Sequence, residues 1–285
     1  MTDTAIAVRD LRKSYGSVEA VRGISFDVAR GEVFGLLGPN GAGKTTTVEI
    51  LEGHRRRTGG TVSVLGHDPE DGNADLRRRV GIVLQGVGFY PRARVREAVE
   101  HFAAMYPAPR DPGETLALVG LDGEEAAAVG QLSGGQRRRL DLALALVGDP
   151  ELIFLDDPTT GFDPAARRTA WSVLRALRDL GKTVLLTTHY LEEAQALADR
   201  VAIVMDGVIA ALGPPSELGS ARPSYHVSYR RNGGRAEHQT DDPTELLHRL
   251  TSEAIARGER LDGLEVRRPT LEDVYLELTA EEPPT

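Results

Sequence analysis

The stretch Gly38-Pro39-Asn40-Gly41-Ala42-Gly43-Lys44-Thr45 fits G-x-x-x-x-G-K-[ST] and constrains this chain more than any other feature. Before it, Val33-Phe34-Gly35-Leu36-Leu37 has the apolar run of a buried strand; after it, Thr46-Thr47-Val48-Glu49-Ile50-Leu51 reads as the first turns of a helix. Strand, glycine-rich turn and helix N-terminus, in that order, make a cradle for phosphate. Glycines let the backbone close around phosphate oxygens with successive N–H groups pointing inward. The helix end adds partial positive charge. In this reading Gly38, Pro39, Asn40, Gly41, Ala42, Gly43, Lys44, Thr45 and Thr46 hold a nucleotide. Lys44 reaches the outer phosphates and the Thr45 hydroxyl ligates Mg²⁺. The motif specifies nucleotide phosphates and leaves their use open.

The chain has 285 residues, room for one large or two modest domains. A net charge of −9 lowers the expectation of nucleic-acid binding, which draws on phosphate neutralisation. With no cysteine, disulfides, thiolate metal sites and a cysteine nucleophile are excluded, and the composition fits a reducing compartment. All but three of the 34 basic residues are arginine, a bias of composition rather than of function. The N-terminus lacks the apolar core of a secretory signal, and no apolar run approaches the ~20 residues that span a bilayer. The expectation is a cytoplasmic protein; if it works at a membrane, another chain must cross it.

Taken in order, Ala5–Asp10, Val18–Val21 and Ile24–Val28 read as three strands ahead of the phosphate loop. Tyr15 lies among them, either stacking on an adenine ring or half-buried on a hairpin. Val80 to Gln85 is an apolar strand ending in an amide placed to hold Mg²⁺ or the attacking water. From about residue 90 to 130 the pattern turns helical: Val95–Met105, a break at Asp111-Pro112-Gly113, then Thr115–Val119 and Glu124–Ala128. Leu132-Ser133-Gly134-Gly135-Gln136 opens a strong helix and forms a second anion site without a lysine. The Arg137-Arg138-Arg139 triplet behind it reads as a solvated face. Glu151–Pro158 is a buried strand ending in two carboxylates. Asp156 is placed as a direct or outer Mg²⁺ ligand, and Asp157 to orient or deprotonate water. Thr183–Thr188 is another buried strand, with His189 at its carboxyl end, where sites of open parallel sheets lie.

In this order the motifs resemble the ATP-binding cassette (ABC) ATPases over residues 1–213. The resemblance implies a P-loop NTPase of the α/β class: a RecA-like core, an antiparallel β subdomain and a helical signature subdomain at about 90–150. Gly38–Thr45 becomes the Walker A loop, Tyr15 the adenine-stacking aromatic and Gln85 the Q-loop glutamine. Leu132–Gln136 is the signature, so Ser133, Gly134, Gly135 and Gln136 join the nucleotide site. Walker B ends at Asp156, Asp163 is the D-loop acid and His189 the switch histidine. Two cassettes, as a homodimer, pack head to tail and sandwich ATP between one Walker A and the other signature. Thr45, Gln85 and Asp156 attend Mg²⁺, while Asp157, His189, Gln85 and Lys44 serve hydrolysis. One departure stands out. The family carries glutamate where this chain has Asp157, one methylene shorter, and slow hydrolysis is expected because a misplacement of about 1 Å can cost on the order of 10²-fold in rate.

Residues 214–285 read as a small accessory domain of strands and helices, with a turn at Asn232-Gly233-Gly234 and a capping box at Thr270–Asp273. Arg222, Arg230, Arg231 and Arg235 read as a solvated hairpin. Pro269–Tyr275 and the arginine-rich helix after the signature resemble bacterial ABC-2 exporters of the daunorubicin-resistance kind. That implies a separate membrane permease docked near Gln85–Pro91, with the cassette peripheral on the inner face of the cell membrane; Phe89 there is otherwise a core residue. The rival readings are a soluble ABC ATPase of assembly or repair, an importer subunit, and a nucleotide-gated binding module of low activity.

Overall fold

A computed structural model describes residues 3–83, 91–159, 162, 164–218, 225–231 and 234–280, in two compact units, Met1–Leu212 and Gly213–Thr285. The first unit opens on β1 (Thr4–Tyr15) and β2 (Val18–Ala29), joined by a turn in which Gly16 takes a φ of 60°. The expected break between Val21 and Ile24 is absent. Gly23, at φ 95°, absorbs a shift of register there, and β2 runs on as one strand. β3 (Val33–Leu37) leads into the phosphate loop and α1 (Lys44–Leu51). β4 (Gly59–Val64) pairs with β1 and completes an antiparallel sheet in the order β2-β1-β4.

Next come α2 (Ala74–Arg79) and β5 (Val80–Val83), followed by the helices α3 (Val95–Ala103), α4 (Pro112–Leu118) and α5 (Gly134–Leu146). Asp111-Pro112 does more than break a helix. The Asp111 carboxylate accepts the Glu114 N–H at 2.9 Å, so this pair opens α4. Glu124–Ala128 is not helical, contrary to its composition. The carbonyls of Glu125 and Ala127 accept the N–H groups of Arg96 and Val95, so this segment satisfies the free end of α3 and keeps a turn bond of its own, from the Ala127 N–H to the Glu124 carbonyl at 3.0 Å.

The unit closes with β6 (Leu152–Asp156), α6 (Pro164–Asp179), β7 (Thr183–Thr188), α7 (Leu191–Leu197), β8 (Arg200–Met205) and β9 (Val208–Gly213). The main sheet has the order β5-β6-β7-β3-β8-β9, with parallel pairing from β5 through β8. Its side chains alternate between two cores. Phe34, Leu36, Leu152, Phe154 and Leu185 pack with the antiparallel sheet. Val33, Ile153, Leu155, Val184 and Leu186 pack with α3, α4 and α5. Covered on both faces, these strands read as unbroken apolar runs, as parallel strands do. The arrangement delivers the carboxyl ends of β3, β6 and β7 to one edge.

At the amino end of β6, Glu151 accepts hydrogen bonds from Arg79 and from Arg30. These guanidiniums, Arg79 foremost, hold its carboxyl down to about 2 from an ordinary 4.5. A carboxyl depressed by folding gives stability that is present above 4.5 and lost as pH falls through about 2. Solvent reaches this group, so the effect is modest. Glu151→Gln is expected to be somewhat less stable than the native chain at pH 7, with the gap closing between pH 4.5 and 2. Urea midpoints at stepped pH measure it; a gap independent of pH refutes it.

The second unit holds α8 (Pro215–Leu218), β10 (Tyr225–Arg231), β11 (Gly234–Thr240), α9 (Pro243–Arg257), β12 (Asp262–Arg267) and α10 (Leu271–Ala280). Its antiparallel sheet, β11-β10-β12, shares a small core with α9 through Val227, Tyr229, Leu246 and Leu250. The capping box at α10 is present. Asp273 accepts the Thr270 N–H at 2.7 Å, and the Thr270 hydroxyl accepts the Asp273 N–H at 3.3 Å. Arg267 adds a two-pronged grip on Asp273. Arg230 and Arg235 face each other, exposed, across the β10–β11 hairpin. Arg222, Asn232 and Gly233 lie outside the described residues.

Candidate nucleotide site

The phosphate loop takes its shape from glycines that nothing else can replace. A Cβ on Gly38 would sit 2.2 Å from the Val204 carbonyl oxygen, and one on Gly43 2.4 Å from that of Ala20. Gly43 also holds φ at 100°, in the left-handed region. It is the N-cap of α1 and offers no side-chain cap, so the first N–H groups of the helix stay available to an anion. Asn40, Gly41 and Thr45 are exposed, whereas Thr47 turns its hydroxyl inward to the Gly43 carbonyl at 2.9 Å. Lys44 is 5% exposed and donates to the carbonyls of Gly38 at 2.7 Å and Pro39 at 3.0 Å. Burial lowers its pKa, opposed by the charges of Asp157 and Asp156. The lysine is thus held inside the loop's own curve, close enough to both acids to feel their field.

Those acids leave the end of β6 beside β7, where Asp156 pairs in register with Thr187. The Thr187 hydroxyl donates to Asp156 Oδ1 and accepts the Asp157 N–H at 3.0 Å. Asp157 has a φ of 44°, a left-handed backbone uncommon outside glycine, asparagine and aspartate. This turn brings Asp157 Oδ1 to 2.9 Å from His189 Nδ1. A carboxylate only accepts, so it fixes the Nδ1 proton and orients the ring, as second partners of functional histidines do. Lys44, Asp156, Asp157 and His189 therefore gather at one edge of the sheet, on the elements the motifs predicted. Gln85 and Asp163 lie outside the described residues.

Tyr15 stands at the end of β1, 41% exposed, with Lys13 Nζ 5.0 Å and Arg55 Cζ 5.2 Å from its ring centroid. Beside it an open groove of about 510 Å³, lined by Ser17, Val18, Ala20, Gly41 and Gly207, leads to the phosphate loop. Ser133 caps α5 and accepts the Gln136 N–H at 3.2 Å, while Gln136 returns its Oε1 to the Ser133 N–H at 2.9 Å. The Gln136 amide also reaches Glu124 at 2.8 Å. Gly134 is exposed, with open space where a side chain would stand. No hydrogen bond or ion pair among the described residues joins Ser133–Gln136 to Lys44, Asp156, Asp157 or His189.

The arginine triplet corrects the sequence reading: only Arg137 is exposed. Arg139 is partly buried and bonds the Gly120 carbonyl. Arg138 turns inward and donates to the carbonyls of Asp156 at 3.1 Å and Pro158 at 3.4 Å, on either side of Asp157. Burial lowers its pKa, and the charges of Asp141, Asp156, Asp157 and Glu193 oppose the shift. Glu193 of α7 went unnoticed in the sequence. Fully buried, its Oε1 accepts the Thr159 hydroxyl at 2.8 Å and the Trp171 indole N–H at 3.3 Å, and burial pushes its carboxyl up. It ties α6 and α7 to the loop after β6. A glutamate in a short mixed helix carries no sequence signal for such a role.

The ABC transporter family matches residues 21–160. The chain is 39% identical over 279 residues to a fluoroquinolones export ATP-binding protein of Mycobacterium tuberculosis (strain H37Rv), covering 96% of this chain and 93% of that one. It is 37% identical over 309 residues to the daunorubicin resistance ATP-binding protein DrrA3 of Streptomyces coeruleorubidus, covering 99% and 98%. Among solved structures, cbiO1 of Clostridium perfringens, part of the ABC transporter complex cbiONQ, matches with a TM-score of 0.70 and 28% identity over 76% of this chain and 91% of that one. The ADP conformation of another ATP-binding cassette matches in fold, with a TM-score of 0.66 at 22% identity, over 76% and 93%.

Proposed function

Because this chain belongs to the ATP-binding subunits of ABC transporters, we propose that it is the ATPase of an exporter and drives a separate membrane permease through ATP-sandwich dimerisation. The observation that carries the reading is the gathering of Lys44, Asp156, Asp157 and His189 at the end of the phosphate-loop sheet. In it, the N–H groups of the loop and Lys44 bind the phosphates. The Asp157 carboxylate orients and deprotonates a water, while His189, held by Asp157, stands at the transferred phosphoryl group. Positioning and charge do most of the work in this chemistry.

The donors suit Mg²⁺. Thr45 presents an exposed hydroxyl and Asp156 a carboxylate with one oxygen engaged by Thr187, and Mg²⁺ takes few protein oxygens beside phosphate and water. When bound, the ion neutralises charge between the outer phosphates. Tyr15, beside the groove that opens from the loop, receives the base. Ser133, Gly134 and Gly135 are set apart from this cluster by bonds of their own, and they suit phosphates held by a second copy.

Among the described residues no helix is long and apolar enough to cross a membrane, so the reading needs a membrane-embedded partner. The exporter assignment follows the names of the relatives that cover nearly the whole chain. Turnover per molecule is expected to fall steeply as the protein is diluted into monomers. Ser133→Arg, which crowds the signature, is expected to abolish the concentration dependence. Full turnover by demonstrably monomeric protein refutes the sandwich. A chain that never associates with membranes of its source refutes the exporter.

A further inference from the structure

Beside the cluster of Lys44, Asp156, Asp157 and His189 lies a buried carboxyl that the reading above leaves without a task. Glu193 stands in the first turn of α7, four residues after His189, and is fully buried. Its Oε1 accepts the hydroxyl of Thr159, two residues beyond Asp157, at 2.8 Å, and the Trp171 indole N–H of α6 at 3.3 Å. We propose that Glu193 is a positioning residue for ATP hydrolysis: it braces the loop that leaves Asp157 against the turn that carries His189, and so fixes the distance between the two. The inference rests on the hydrolytic roles given above to Asp157 and His189 and adds what holds them together.

The turn through His189 needs such a brace. α7 opens at Tyr190 without a side-chain cap, so its own first residues do not hold the turn. Successive side chains of a strand point to opposite faces, which divides the work of Thr187 and Thr188. Thr187 bonds Asp156 and the Asp157 N–H, while the Thr188 hydroxyl accepts the Tyr190 N–H at 3.0 Å, across His189. Burial pushes the Glu193 carboxyl up; hydrogen bonds from the Thr188, Thr159 and Trp171 side chains oppose the rise, and the Asp157 charge adds to it. Among the described residues Glu193 Oε2 has no hydrogen-bond partner, so nothing there compensates a charge. For stability alone, an apolar side chain of similar volume would fill this space at less cost. A carboxyl whose hydrogen bonds go to the segments flanking Asp157 and His189 serves geometry instead. The contact at stake is short: Asp157 Oδ1 and His189 Nδ1 are 2.9 Å apart, and a small shift of either turn breaks it.

The test is steady-state ATP hydrolysis by the full chain, read as kcat and KM separately, with urea midpoints confirming that each variant folds. Glu193→Met, similar in length but without the carboxyl, is expected to lower kcat by roughly 10²-fold at unchanged KM, which is what a displacement of about 1 Å costs. Glu193→Gln keeps Oε1 as an acceptor and is expected to restore most of that rate. Thr159→Val removes the donor from the other side of the bond and is expected to lower kcat as well. The double variant of Thr159→Val with Glu193→Met is expected to be no slower than Glu193→Met alone, because residues that act through one bond do not add. Native kcat in both Glu193→Met and Thr159→Val overturns the inference. So does a Glu193→Gln variant as slow as Glu193→Met, or a rise in KM that accompanies the fall in kcat. If Glu193→Met does not fold, Thr159→Val and Glu193→Gln decide the matter. Asp157→Asn, assayed beside them, separates the two readings: its full activity overturns the hydrolytic role of Asp157, whereas its loss beside an unimpaired Glu193→Met and Thr159→Val overturns this inference alone.

Discussion

Asp157→Asn is expected to cut ATP turnover by roughly 10³-fold, within the range for losing a general base. Nucleotide binding is expected to persist. The substitution is a clean probe because the backbone at this position is left-handed, with φ at 44°. Asparagine is at home there, so the turn survives, as does the bond from the residue's N–H to Thr187. What disappears is the negative charge of the carboxylate that holds His189 at 2.9 Å. Asp157→Glu tests the complementary point. If the short arm limits hydrolysis, the longer one is expected to raise turnover by roughly tenfold, reversing the loss that misplacement by about 1 Å brings. The left-handed backbone tempers the gain, since a residue without a short polar side chain costs about 1–2 kcal/mol there. Single-turnover hydrolysis with protein in excess over Mg-ATP measures both. Unchanged turnover in the Asn variant removes Asp157 from catalysis. No gain in the Glu variant shows that arm length does not limit hydrolysis.

The edge of the sheet that gathers Lys44, Asp156, Asp157 and His189 was legible because its parts obey local rules. Apolar runs that end in an acid, a glycine-rich turn or a histidine become parallel strands whose carboxyl ends converge, so Lys44, Asp156, Asp157 and His189 could be placed from sequence alone. The errors fell where distant partners outvote local preference. Glu124–Ala128 is good helix sequence, yet its carbonyls serve the start of α3. Val18–Val28 contains a glycine that marks a bulge and not an end. In α5, residues 140–147 are buried all round, Asp141 among them. Within α5 only Gly134 and Arg137 are exposed, so no solvated face takes in the whole arginine triplet. The pattern hid this because leucine, alanine and arginine all favour helix whether buried or exposed. Glu52 and Asp141 line one cavity only through the fold, and no spacing rule links residues so far apart in the chain.

Arg138 follows from the same misreading, and replacing it is expected to lower the catalytic rate by roughly 10²-fold with little change in KM for ATP. Its guanidinium reaches the carbonyls of Asp156 and Pro158, which flank the strained residue between them. A left-handed aspartate costs energy and persists only where its surroundings over-determine it. Here Thr187 holds its N–H and Arg138 holds the carbonyls of the residues before and after it, so the arginine is a positioning residue acting through Asp157. Arg138→Lys keeps the charge near Asp156 and Asp157 but cannot span two carbonyls with a planar fork. It is therefore expected to lose nearly as much rate as Arg138→Gln. Full activity in the lysine variant assigns the effect to charge alone. A parallel rise in KM assigns it to general damage of the fold. Arg138 also sits just over one turn into the helix capped by Ser133, so its hydrogen bonds link that helix to the backbone on either side of Asp157. A nucleotide engaged at Ser133 by a second copy would then bear on the backbone that aims Asp157. Accordingly, the rate loss in Arg138→Gln is expected to be larger for the dimer than for residual hydrolysis by the monomer; equal losses in the two states break the link between signature and acid.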